Sequence, residues 1–293
     1  MTSTTDESGR DLTFSGRIYN NLDITPRAAA LRMQARQSIW TFTSKCCKTC
    51  AHITMTATTT IEGQLNPTER RILTEGITLA KKKPEVVIEV GTWLGGGSTL
   101  HILRALEKNG TGHLWGVEAD RSIYEQMLAN IRAAAPEASG RFTPIFGFSQ
   151  NIIPQWLAER GKDVKVDFAF LDGGNNPREQ IDEFHLLDPF IPVGGQLMAH
   201  DAKLRKAKWL VPYLLKLDHW QAKVNDVSDE GLLTAVKVAA QPSEASRKAA
   251  AACLRKMKLA PSELAATYLP SSVCGFFLRL MPRGLSRHLS DGR

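Results

Sequence analysis

Val86-Val87-Ile88-Glu89-Val90-Gly91-Thr92-Trp93-Leu94-Gly95-Gly96-Gly97-Ser98-Thr99 is an apolar run that ends abruptly in a glycine-rich turn. A strand buried on both faces reads as a continuous Val/Ile run, without the alternation of a half-exposed strand. Glycines directly after it let the backbone turn tightly and approach a ligand closely. Residues 98–108 have helical character, so the free N–H groups of a helix start face the same turn. This is the first-strand pattern of a nucleotide-binding α/β domain.

Outward from this stretch, strands and helices alternate. Asn66-Pro67-Thr68-Glu69 predicts a turn into an amphipathic helix carrying Ile72, Leu73, Ile77 and Leu79, which KKKPE ends just before the strand. GHLWGVEAD reads as a second strand, residues 123–134 as a helix stopped by Pro136, RFTPIFGFS as a third strand and residues 151–160 as a helix. VKVDFAFLDGG is a fourth strand, residues 177–187 a helix opened by proline, VGGQLMAHD a fifth strand and residues 204–217 a helix. Residues 220–227 and 231–238 then form two strands whose SDE connection is too short for a helical crossover, so they pair antiparallel. The expected fold is α/β: a doubly wound, Rossmann-like, seven-stranded and mostly parallel sheet with a terminal antiparallel hairpin. A partly ordered N-terminal arm (residues 1–65) precedes the domain at 66–240, and a basic helical extension (241–293) follows it.

Composition narrows the function classes. A chain of 293 residues, 43% hydrophobic, can bury a full α/β core. No apolar run approaches the roughly 20 residues of a membrane-spanning helix. The polar start MTSTTDESGR lacks the apolar segment of a secretory signal, so a cytoplasmic protein is expected. The net charge of +7 sits at the ends, where residues 1–60 hold 7 Lys/Arg against 4 Asp/Glu and residues 241–293 hold 9 against 3. A basic tail of this kind can meet nucleic acid or a membrane surface, but a solvated helix face is the simpler reading. The segment SSVCGFFLRLMPRGL is expected to dock on its own domain or on a second copy, as in a homodimer. Cys46, Cys47, Cys50, Cys253 and Cys274 are odd in number, which argues against a disulfide framework. Cys47, Cys50 and His52 lack the second ligand pair of a structural zinc site.

In an open sheet of this type, ligands sit beyond the carboxyl ends of the strands. Glu89 lies within an otherwise apolar strand, where an unpaired carboxylate is costly, so partners are expected for it. Glu118 follows Gly91 by 27 residues and ends the second strand. A carboxylate there can accept both ribose hydroxyls of an adenosine. Trp93 occupies the place of the second glycine in a G-x-G-x-x-G clamp, where its bulk would obstruct a pyrophosphate; this counts against NAD.

Four motifs in order, IEVGTWLGGGSTL, GVEAD, LDGG and GGQLMAHD, carry a resemblance over about residues 67–240. The chain resembles the class I S-adenosylmethionine-dependent methyltransferases, especially the catechol- and caffeoyl-CoA-type O-methyltransferases and their antibiotic-tailoring relatives. The resemblance implies S-adenosyl-L-methionine as cofactor and methylation of a hydroxyl on a small-molecule acceptor, whether phenol, sugar or natural product. It places Glu89, Gly91, Thr92, Gly95 and Ser98 around the amino-acid end of the cofactor, with Ser98 capping its helix or donating to the cofactor carboxylate. It places Glu118 on the ribose, Phe148 and Ser149 near the adenine, and Asp172 in the cofactor and catalytic site. Phe148 departs from the acidic version of its triplet.

In metal-dependent relatives, acids at Asp172 and Asp201 join an adjacent Asn around a divalent cation such as Mg2+. Here Ala202 stands in place of that Asn, and Asn175 stands where relatives carry Lys or His. His200 has a suitable intrinsic pKa for a base, but strand alternation is expected to turn it away from Asp201. Lys203, Arg205, Lys206 and Lys208 follow the fifth strand near the mouth of the cleft, where they could meet an anionic acceptor, although a solvated helix start is the simpler reading. These departures also motivate another reading, a methyltransferase-like module that binds without catalysing. An RNA methyltransferase recruited through the tail is a third.

Overall fold

The computed structural model describes residues 61–259. Its elements run α1 (Pro67–Thr78), β1 (Val86–Val90), α2 (Thr99–Asn109), β2 (His113–Glu118), α3 (Arg121–Ala134), β3 (Phe142–Phe146) and α4 (Ser149–Arg160). They continue with β4 (Phe168–Leu171), α5 (Pro177–Leu187), β5 (Gln196–His200), α6 (Leu210–Leu214), β6 (Trp220–Asn225), β7 (Leu232–Lys237) and α7 (Glu244–Lys258). One seven-stranded sheet has the order β3-β2-β1-β4-β5-β7-β6. The first five strands pair parallel, and β7 runs antiparallel to both β5 and β6. The expected seven-stranded, mostly parallel sheet with its terminal hairpin is the observed one.

Strand alternation distributes the core between two faces. Val87, Phe168, Phe170 and Met198 pack with Leu73 and Ile77 of α1, Ile102 and Leu106 of α2, and Met127 and Ile131 of α3. Ile88, Val90, Ala169, Leu171 and Ala199 pack with Ile153 and Trp156 of α4, Ile181 and Phe184 of α5, and Leu210 and Leu214 of α6. Glu89 and His200 share the parity of Val87 and Met198. Both therefore point toward the α1/α2 side.

Helix α1 begins as its sequence dictates. The Asn66 side chain accepts from the Thr68 and Glu69 amides, Pro67 needs no partner at the first position, and Glu69 accepts from the Asn66 amide. The helix expected over residues 204–217 is not continuous: a 3-10 turn (Arg205–Ala207) precedes the short α6. Pro212 lies inside that stretch and removes a backbone donor. Helix α7 buries Ala250 and Leu254 against the second face, and its Ser246 hydroxyl donates to the Lys216 carbonyl. Cys253 on this helix is a free, half-buried thiol. The other four cysteines, His52, residues 1–60 of the N-terminal arm and the segment after residue 259 lie outside the described residues. Among the described residues, no helix is long and apolar enough to cross a membrane.

Two backbone contacts fix the ligand end of the sheet. Gly91 has φ +85°, and a Cβ there would stand 2.6 Å from the Gly173 nitrogen and 2.7 Å from the Asp172 carbonyl carbon. Only glycine meets both conditions. The segment at residues 61–64 crosses the glycine loop so closely that a Cβ on Gly63 would overlap the backbone of Gly96 and Gly97, and one on Gly96 would overlap the Ile61 and Glu62 carbonyls. Neither side has a side chain that can move aside. Gly96→Ala is therefore expected to cost about 3 kcal/mol or more, beyond ordinary overpacking. Gly140→Ala, where a Cβ meets nothing within 4 Å, should change stability by less than about 0.5 kcal/mol. Urea unfolding of the two variants against wild type checks the difference.

Candidate active site

Each strand that ends at this edge delivers one chemical group. After β1, Gly91 continues the ladder by donating to the Val117 carbonyl, as Asp172 does after β4 by donating to Val90. Thr92 is buried, and its methyl carbon fills the space where a Cβ on Gly116 of β2 would stand. Trp93 has φ +44°, and its amide donates to Glu118 Oε2 at 2.9 Å. The Ala119 and Asp120 amides donate to Glu118 Oε1 at 2.9 and 3.0 Å. Three of the roughly four acceptor positions of this carboxylate are thus taken by backbone. One position on Oε2 remains, where the sequence had suggested a grip on two hydroxyls.

Glu89 is fully buried, and the Ser98 hydroxyl donates to its Oε1. Ser98 makes no side-chain cap on α2. Glu89 Oε2 has no hydrogen-bond partner among the described residues. Burial pushes the Glu89 carboxyl up to about 8, against the lowering influence of the Ser98 and Thr99 hydroxyls.

After β3, Phe146 is topped by the Arg121 guanidinium, 4.1 Å from its ring centroid. Phe148 precedes α4 and is 66% exposed, so it is no part of the core. Ser149 points the other way: it is buried and donates to Glu183 Oε1 at 2.5 Å. Burial raises the Glu183 carboxyl to about 7. Asn176 caps α5 by accepting from the Arg178 and Glu179 amides, and the Asn175 amide donates to Glu179.

The densest cluster lies beyond β4 and β5. Asp172, His200 and Asp201 offer ligand-type atoms within 4.8 Å of one another. His200 Nδ1 stands 3.3 Å from Asp172 Oδ1 and 3.2 Å from Asp201 Oδ1. The expectation that alternation separates His200 from Asp201 fails, because Asp201 has φ +57° and has left the strand path. On its other side, His200 Nε2 lies 3.4 Å from Glu69 Oε2. That carboxylate is buried beneath α1 and accepts from the Ser228 hydroxyl at 2.6 Å. Burial works to lower the His200 pKa, but Asp172, Asp201 and Glu69 outweigh it and raise it to about 9.

Lys206 completes the cluster. It was expected in solvent; instead it is 8% exposed, with Nζ 2.7 Å from Asp172 Oδ1 and 2.7 Å from Asp201 Oδ2. It also donates to the Asp172 carbonyl at 3.1 Å. Burial alone would raise the Asp172 carboxyl, but Lys206 and His200 hold it below its ordinary value. Sequence reasoning missed Lys206, Glu69, Ser228 and Glu183. Lys206 sits among other basic residues, and Glu69 reads locally as a capping residue alone.

Glu89 and His200 bind protons more tightly when folded than when unfolded, so both make stability fall as pH rises. For Glu89 the window runs from its ordinary value near 4.5 to about 8. Glu89→Gln keeps an acceptor for Ser98 and removes the charge. It is expected to gain on wild type by on the order of 3–5 kcal/mol between pH 5 and 8.5. Urea midpoints at pH 5, 7 and 8.5 read this; parallel curves for the two proteins would refute it.

Residues 88–202 match a family model described as a methyltransferase domain. Among solved structures, the chain is similar to a protein assigned as an O-methyltransferase from Klebsiella pneumoniae, with TM-score 0.50 and 16% identity over 60% of this chain and 82% of that one. It also aligns with the O-methyltransferase from Bacillus cereus in complex with SAH (TM-score 0.48, 19% identity, 59% and 82% covered). A third is a protein assigned as a caffeoyl-CoA O-methyltransferase from Staphylococcus aureus (0.49, 14%, 60% and 86%). Among curated proteins, none matches. At these identities the first structural likeness bears on the fold, and the domain match bears on its kind. Residues 88–202 thus match a methyltransferase domain model within a Rossmann-like α/β fold, and the chain resembles the class I S-adenosylmethionine-dependent O-methyltransferases.

Proposed function

We propose that this protein transfers the methyl group of S-adenosyl-L-methionine to a hydroxyl oxygen of a small-molecule acceptor. The observation that carries the reading is the meeting of Asp172, Asp201, His200 and Lys206 at the ends of β4 and β5, beside the Gly91 turn. The cofactor is suited to the residues present. Glu118 keeps one acceptor position for a ribose hydroxyl. Phe148 offers an exposed ring for adenine, and Glu89 Oε2 is a buried polar atom without a partner among the described residues.

The bound sulfonium supplies an electrophilic methyl carbon: the acceptor O–C bond forms as the S–C bond breaks, and the bonding pair returns to sulfur. What remains for the protein is alignment and removal of the hydroxyl proton. Asp201 is the more accessible of the two acids, with its side chain 16% exposed against 10% for Asp172. We assign it the acceptor's proton. Asp172, held anionic by Lys206 and His200, fixes the geometry of that pair. His200 stays a buried cation near neutral pH and acts through the two acids it touches. Ala202 and Asn175 favour a second reading, a module that binds the cofactor without turnover.

Calorimetric titration with S-adenosylhomocysteine separates these. Wild type is expected to bind, Glu118→Ala to lose about tenfold or more, and Phe148→Ala about tenfold, as for loss of a stacked base. Asp201→Asn should leave this affinity unchanged and lower kcat about a hundredfold or more on a panel of phenolic and sugar hydroxyls. Binding without turnover on any acceptor supports the second reading. A folded protein that binds no S-adenosylhomocysteine overturns both.

A further inference from the structure

The acids at Asp172 and Asp201 stand where metal-dependent relatives hold a divalent ion, so the donor set decides whether this chain suits one. A metal bound by both carboxylates sits about 2.0–2.6 Å from their oxygens. Lys206 Nζ already lies 2.7 Å from one oxygen of each. A second cation in that space would face the ammonium at contact distance and His200 beside it. The asparagine that joins the two acids in metal-dependent relatives is absent, since residue 202 is alanine, and the third ligand-type side chain of the cluster, His200, is already set against both carboxylates and Glu69. The set does not suit a metal.

We propose that Lys206 is the resident cation of this site, its ammonium permanently occupying the place between Asp172 and Asp201 that a divalent ion would take. The geometry goes further. An ammonium has three N–H donors, and all three have acceptors here: Asp172 Oδ1, the Asp172 carbonyl and an Asp201 oxygen. A metal keeps open positions that two oxygens of one acceptor can fill together; Lys206 keeps none. The acceptor is therefore held by a single reacting hydroxyl and by shape, and a vicinal pair of oxygens gives it no advantage. This consequence for the acceptor rests on the methyl-transfer reading, whereas the occupancy of the site does not.

Manganese titration followed by electron paramagnetic resonance reads occupancy without turnover. Wild type is expected to leave Mn2+ free up to about 1 mM, the range of weak oxygen sites. Lys206→Met, and Lys206→Gln if the former is unfolded by circular dichroism, should take up one Mn2+ per chain about tenfold or more tightly than wild type, because a competing charge is gone. One Mn2+ bound by wild type and lost in Asp201→Asn would overturn the proposal, and so would a folded Lys206 variant that binds none. With an accepted substrate, wild-type turnover should be unchanged by EDTA or Mg2+, and a vicinal dihydroxy acceptor should show no higher kcat/KM than its monohydroxy analogue. Dependence on Mg2+ would overturn it. Failure of S-adenosylhomocysteine binding would remove the methyl-transfer reading while leaving the manganese result to stand alone.

Discussion

Two neighbouring parallel strands, β4 and β5, end in carboxylates, and each carboxylate is mostly withdrawn from water. Like charges so placed repel more strongly than they would in solvent, and each loses hydration. The fold answers with two cations brought from different directions. His200 arrives from β5 itself, and Lys206 arrives from the turn that follows it. Glu69 then balances the far side of His200 from beneath α1. The rest of this end of the molecule follows from that arrangement. Lys206 can reach inward because the chain after β5 forms a short 3-10 turn instead of a long helix, and α1 must sit close enough to β5 for Glu69 to touch the imidazole.

Much of this was legible in the sequence because it depends on short-range signals. The Val/Ile run of β1, the proline opening α5 and the short link between β6 and β7, six residues in the structure, each determine a local conformation, and alternation of strands with helices then leaves few topologies. The strand-end residues Gly91, Glu118, Asp172 and Asp201 could be picked out for the same reason. What escaped was set by tertiary placement. Nothing near Lys206 distinguishes it from Lys203 or Lys208. Its burial depends on two acids, of which Asp172 is 34 residues away. The role of Glu69 depends on Ser228, 159 residues distant. The pairing of His200 with Asp201 required a left-handed backbone at a non-glycine residue, which residue type alone does not announce.

The two buried glutamates show how the same chemistry serves different ends. Glu89 and Glu183 are each bonded to a serine hydroxyl, and burial pushes each toward the neutral acid. Asp172 is also largely withdrawn from water, with its side chain 10% exposed, but lysine and histidine hold its carboxyl below the ordinary value. Environment, more than residue type, thus separates carboxyls suited to hydrogen bonding from those suited to holding charge.

The crossing of residues 61–64 over the glycine loop has a consequence for sequence drift. Most core contacts tolerate exchange, because a larger side chain on one side can be answered by a smaller one opposite. Gly63 and Gly96 meet backbone to backbone, so neither has a partner that can shrink. A lineage that lost either glycine could recover only by rerouting the chain. The two positions should therefore persist or disappear together, even where the side chains around them have changed beyond recognition.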